Sequence, residues 1–180
     1  MLLRKLFQMI AGSAFLYLGI ASQGTAAAQE PKHGVRAPAS IEAEHKELHE
    51  ELASAVRSGG RTAEAARNVE KLLQPHFVKE EQFALPPLAA LSDLAAGKMP
   101  PNAGDIIQMS DHLQQEMPTM LAEHASIGKA LERLRAAALE EHKPAAALFA
   151  DHLMAHAKQE EEIMYPAAIL AGRYLKLKEL

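Results

Sequence analysis

Residues 76–86 read HFVKEEQFALP and residues 156–166 read HAKQEEEIMYP. Each phrase sets a histidine, a glutamate pair four and five places on, and a proline ten places on. Imidazole and carboxylate together suit iron, manganese or zinc, so the chemistry these residue types could do is metal ligation. On a helix, positions i and i+4 lie about 40° apart and one turn along. His76 with Glu80, and His156 with Glu160, therefore project from one stripe each. Glu81 and Glu161 sit at i+5, off that stripe, and are expected to face water.

A second phrase is also written twice. AEH occurs at 43–45 and at 122–124, and His45 precedes His76 by 31 residues where His124 precedes His156 by 32. If the two halves pack face to face, six groups converge: His45, His76, Glu80, His124, His156 and Glu160. Buried carboxylates need partners, and these phrases offer no inward Lys or Arg. Two divalent cations would satisfy the set, with two His for each ion and both Glu bridging a separation of about 3.5–4 Å. A single HxxxE on a helix usually means a surface ion pair or nothing; the matched duplicate is what argues for a site. His49, at i+4 from His45, and His152, at i−4 from His156, share the stripe and are candidates for an additional ligand or for residues that orient one. Tyr165, just before Pro166, reads as a packed aromatic with its hydroxyl at the edge, or as a redox-active phenol near the site.

Ala, Leu, Glu, Lys and Met dominate the chain and favour helix, aromatics are only 4%, and Trp is absent. An all-α fold follows. Helices are expected from Ile41 to Arg57 with Ser40 as cap, from Ala63 into ALPPL with Thr62 as cap, from Asp105 to Glu140, and from Pro144 to Leu170. LAALSDLAAG reads as a short helix on the crossover. Pro75 and Pro118 should kink or bend their helices. Short loops at SGGR and EEHKP make two antiparallel hairpins, hence an up-down-up-down four-helix bundle with the metal site in its core.

Residues 1–28 read as a cleaved signal peptide. Arg4 and Lys5 precede an apolar run from Leu6 to Ala21 and a small-residue end at Ala28. At 16 residues that run is just under the length of a membrane span. Residues 29–38 read as a polar linker, 39–172 as the helical domain and 173–180 as a surface tail. The protein is thus expected in the periplasm, with no membrane role beyond export. The formal charge of −4, more acidic still without Arg4 and Lys5, argues against a nucleic-acid partner. No cysteine is present, which excludes disulfides, thiolate metal sites and cysteine nucleophiles.

His45, His76-x3-Glu80, His124 and His156-x3-Glu160 together resemble the hemerythrin-like, or HHE cation-binding, domain over about residues 38–172. The resemblance implies a four-helix bundle around a non-haem di-iron site, with these six residues in the family's ligand positions and oxygen, nitric oxide or peroxide as the small ligand. It implies a binding or sensing role, with peroxide or nitric oxide detoxification and metal storage as alternatives. Oxygen-carrying hemerythrins have a fifth histidine in a His-x3-His pair, where this chain has Met120. Their last ligand is an Asp five places after its His, where this chain has Glu160 at four, with Glu161 as fallback. Two His per iron leave more open coordination, which points from oxygen carriage towards reactive members. The ferritin-like alternative needs Glu-x-x-His twice; Glu42-x-x-His45 fits, but Leu121 and Leu153 stand where further copies would need Glu.

Overall fold

The computed structural model describes residues 34–179. The expected signal peptide, and the linker up to His33, lie outside that range. Six α-helices follow: α1 Ala39–Arg57, α2 Gly60–Lys79, α3 Leu91–Ala95, α4 Ala103–Glu140, α5 Pro144–Gln159 and α6 Tyr165–Glu179. A π-helical turn, Glu80–Ala84, extends α2, and a second, Glu160–Met164, joins α5 to α6. A 3-10 turn, Pro86–Ala90, leads into α3 on the crossover.

α1 packs on α2 and α5, and α4 packs on α2, α5 and α6. This is the expected four-helix bundle, with α5, the second π turn and α6 as its fourth rod. No strand occurs among the described residues. The apolar residues form two cores. One includes Leu48, Leu73, Phe77, Leu131, Leu134 and Phe149; the other includes Phe83, Leu85, Leu113, Met120, Tyr165 and Leu175. Along α4 the first core begins at Ile127 and the second ends at Met120, and His124 falls between them. On α2 and its π turn the first core ends at Phe77 and the second begins at Phe83, with Glu80 between them and His76 next to Phe77. The polar residues therefore form a layer across the bundle, sealed by hydrocarbon at both ends.

Helix starts differ from the sequence reading. α1 begins at Ala39 behind Pro38, without a side-chain cap, so Ser40 is already helical. α2 begins at Gly60, which puts Thr62 in its first turn rather than at its cap. The free N–H groups of Arg61 and Thr62 donate to the Glu141 carboxylate at 2.8 and 3.1 Å, and the Thr62 hydroxyl donates to it at 2.7 Å. The loop between α4 and α5 thus caps α2 and ties the hairpins together. Gly60 has φ +62, and a Cβ there would sit 2.5 Å from Glu141 Oε1. Only glycine meets both conditions.

The chain's end is also corrected. The fourth helix does not stop near Leu170, and 173–180 is not a surface tail up to Glu179. α6 runs through, Leu175 is fully buried, and Lys176 pairs with Asp111 at 2.6 Å. Gly172 lets α6 approach α4 so closely that a Cβ there would be 2.3 Å from Ser110 Cβ. Leu175→Ala should therefore destabilise the fold by about 2–5 kcal/mol in urea unfolding. A surface position would stay within about 0.5 kcal/mol, and such a result would contradict this packing.

Candidate metal centre

Each repeated phrase folds the same way. His76 lies in the last turn of α2 and Glu80 opens the first π turn; His156 lies in the last turn of α5 and Glu160 opens the second. In each turn the backbone bond spans five residues, as in Leu85 N–H to Glu80 O at 2.9 Å. In both cases a proline stands two residues past the turn, Pro86 after Leu85 and Pro166 after Tyr165. Proline lacks a donor and clashes with the carbonyl four residues back, which disfavours an ordinary α turn there. The first ligand helix gives out at Pro86, whereas α6 continues through Pro166.

All six expected residues converge, and all are buried. Ligand atoms of His76, Glu80, His124 and Glu160 lie within 4.8 Å of one another, and so do those of His45, His156 and Glu160. Each glutamate faces both histidine pairs. Glu80 Oε1 is 3.0 Å from His76 Nε2 and 3.7 Å from His124 Nε2, while its Oε2 is 3.9 Å from His45 Nε2. Glu160 Oε1 is 3.1 Å from His156 Nε2 and 3.7 Å from His45 Nε2, while its Oε2 is 3.4 Å from His124 Nε2. Among the described residues three buried side-chain polar atoms lack a hydrogen bond: His76 Nε2, Glu80 Oε2 and Glu160 Oε1. His76 Nε2 is close to Glu80 but not aligned with it. Buried orphans of this kind cost about 1–3 kcal/mol each. The donor set, two carboxylates among four imidazoles, fits divalent transition metal.

The outer nitrogens of the histidines also meet carboxylates. Glu123 Oε2 is 2.8 Å from His76 Nδ1, Glu44 Oε1 is 3.0 Å from His156 Nδ1, and Glu161 Oε1 is 2.9 Å from His124 Nδ1. Glu81 Oε1 lies 3.7 Å from His45 Nδ1. Lys79 in turn donates to Glu123. Such carboxylates fix the ring's orientation and tautomer and raise its basicity as a ligand. Glu81 and Glu161 are thus not simply solvated, although both side chains stay partly exposed. Glu44 and Glu123 are the middle letters of the repeated AEH, and each serves a histidine of the other hairpin. Their signal was present in the sequence as the duplication itself, but spacing along one helix could not reveal a partner across the bundle.

Tyr165 is fully buried, not at an edge. Its hydroxyl donates to Glu80 Oε1 at 2.5 Å and lies 3.3 Å from His124 Nε2. His49 lies outside the cluster, edge-on to Phe77. His152 is also outside it, half-exposed, with Nδ1 3.1 Å from Glu51.

The protein alone holds this cluster with protons. Burial opposes charge on His45 and His124, but Glu160, Glu81 and Glu80 around the first, and Glu160 and Glu80 around the second, outweigh it and raise both to about 10. His76 and His156 are raised against burial in the same way, chiefly by Glu80 and by Glu160. Burial alone would raise Glu160; the imidazoles of His124, His156 and His45 around it instead hold it well below the usual carboxylate range. Burial, then the charges of Glu80 and Glu160, push the Tyr165 phenol far up, so it remains a donor. Metal ions would take the place of the histidine protons.

Fold and site together define a helical bundle with a buried histidine–glutamate cluster suited to metal. The model of the hemerythrin HHE cation binding domain matches residues 37–168, and the chain belongs to that family. No curated protein and no solved structure matches the chain.

Two outcomes are expected. Raised histidine values stabilise the metal-free fold fully below about pH 6.5, and that contribution is lost as pH rises towards about 10. The metal-free melting temperature should fall over that interval while the metal-loaded one does not. A flat metal-free profile would contradict the charge assignment. Glu123→Gln and Glu44→Gln should each weaken metal binding about 10–100-fold in chelator competition, and unchanged affinity would remove these carboxylates from the site.

Proposed function

We propose that the protein is an exported non-haem di-iron protein that binds oxygen, nitric oxide or peroxide in a binding or sensing role. The observation that supports this most is the set of orphaned atoms, His76 Nε2, Glu80 Oε2 and Glu160 Oε1, enclosed between two histidine pairs. In this reading His76 and His124 would hold one ion and His45 and His156 the other, with Glu80 and Glu160 as ligands within reach of both. Manganese or zinc would satisfy the same donors. Bound iron would supply a redox couple and open coordination positions for the small ligand.

The chain's own residues do the rest. Glu44, Glu81, Glu123 and Glu161 orient the imidazoles. The two apolar cores exclude bulk water from both ends of the layer, which strengthens every electrostatic contact inside it. Met120 is buried in the second core, at the position where oxygen-carrying hemerythrins have a fifth histidine. Export rests on the signal-like segment at 1–28, and the acidic charge argues against nucleic acid as a partner. Among the described residues no helix is long and apolar enough to cross a membrane.

Tyr165 favours a second reading, in which the same centre consumes peroxide or nitric oxide. Its hydroxyl sets a proton donor beside Glu80 and His124, which turnover can use and simple carriage does not need.

Anaerobic ferrous protein titrated with oxygen or nitric oxide should develop a charge-transfer absorption that saturates at stoichiometric gas. Absence of any new absorption would contradict the binding reading. Steady-state loss of peroxide or nitric oxide, abolished or strongly slowed by Tyr165→Phe, would favour the second reading instead.

A further inference from the structure

The two hairpins are related residue by residue: α1 matches α4 at an offset of 79, and α2 matches α5 at an offset of 80. The partner carboxylates obey this relation, since Glu44–His156 corresponds to Glu123–His76, and Glu81–His45 to Glu161–His124. Three positions break it. Phe77 stacks on His45 with ring centroids 4.6 Å apart, and His49 covers Phe77 edge-on at 4.7 Å. Their counterparts beside His124 are Ala157 and Gly128. Where the α1–α2 side is filled, the α4–α5 side has a groove of about 440 Å³, lined by Leu121, His124, Gly128, Met154, Ala157 and Glu161 among others. Inside the layer the third break is Tyr165, whose counterpart is the apolar Leu85. Tyr165 occupies a lone pair of Glu80 Oε1, the oxygen that faces His76 and His124. Glu80 has no such competitor on the His45 side.

From these differences we propose that the two metal positions are inequivalent: the His76–His124 position exchanges metal through the α4–α5 groove, and the His45–His156 position is sealed. The proposal rests on the two-ion reading above. Both asymmetries act in one direction. The groove gives water and a departing ion a route to His124, and the Tyr165 hydrogen bond weakens the donor atom on that same side. Phe77 and His49 close the equivalent route to His45.

Zinc release from the zinc-loaded full chain to an excess of chelator tests this without relying on activity. Two zinc ions per chain should leave in two phases of equal amplitude, separated by at least tenfold in rate. His156→Ala, which removes a ligand of the sealed position, should lose the slow phase and keep the fast one. Gly128→Leu fills the groove without adding a ligand, and a Cβ at Gly128 meets nothing within 4 Å. It should slow the fast phase at least tenfold and leave the slow phase alone. Ala157→Phe copies the sealed side and should do the same, and Tyr165→Phe should slow the fast phase through a tighter grip. Release of both ions in a single phase, or a fast phase unchanged by Gly128→Leu and by Ala157→Phe, would overturn the inequivalence. Failure to load two zinc ions would instead overturn the two-ion reading itself.

Discussion

Two carboxyl groups, Glu80 and Glu160, lie at or below 1% exposure in the middle of a helical bundle. Taking such charges out of water costs several kcal/mol per ion unless opposite charge and hydrogen bonds replace the solvent. Four imidazoles surround them, and everything else in the fold serves to keep those six groups together. Two apolar cores clamp the layer from either end. The π turns aim the glutamates, and carboxylates further out aim the histidines. Without metal the balance is kept by protons on the histidines. With metal the same donors find a more concentrated positive charge at the same place.

The near-symmetry of the two hairpins explains why so many residues come in pairs. A bridging carboxylate must face both histidine pairs, and two hairpins packed face to face supply one from each side. The departures from symmetry are then informative, because they fall beside the buried histidines and glutamates. Phe77 and His49 against Ala157 and Gly128, and Tyr165 against Leu85, all distinguish the same half of the centre from the other.

Much of this was legible in the sequence. The four-helix order followed from periodicity and loop signals, and the six central residues followed from a phrase written twice. Three things were not legible. The π turns leave no signature in a 3.6-residue pattern, so the repeated proline had no explanation until the five-residue backbone bonds were seen. The roles of Glu44, Glu123, Glu81 and Glu161 depend on partners across the bundle. Helix ends misled for a similar reason: α2 is capped not by its own Thr62 but by Glu141, 79 residues away in sequence. The run GRYLKLKEL looked like a tail because it is basic and then acidic, yet Leu175 anchors it in the second core.

The family match and the buried donors agree on metal; in the proposed di-iron reading two ions would sit in the layer, with Glu80 and Glu160 as ligands to both. Metal analysis combined with X-ray absorption on the iron-loaded chain tests it most directly. The account predicts two ions per chain with a metal–metal distance of about 3.5–4 Å, lost when both Glu80 and Glu160 are replaced by Gln. One ion per chain, or two ions without a metal–metal feature, would contradict it.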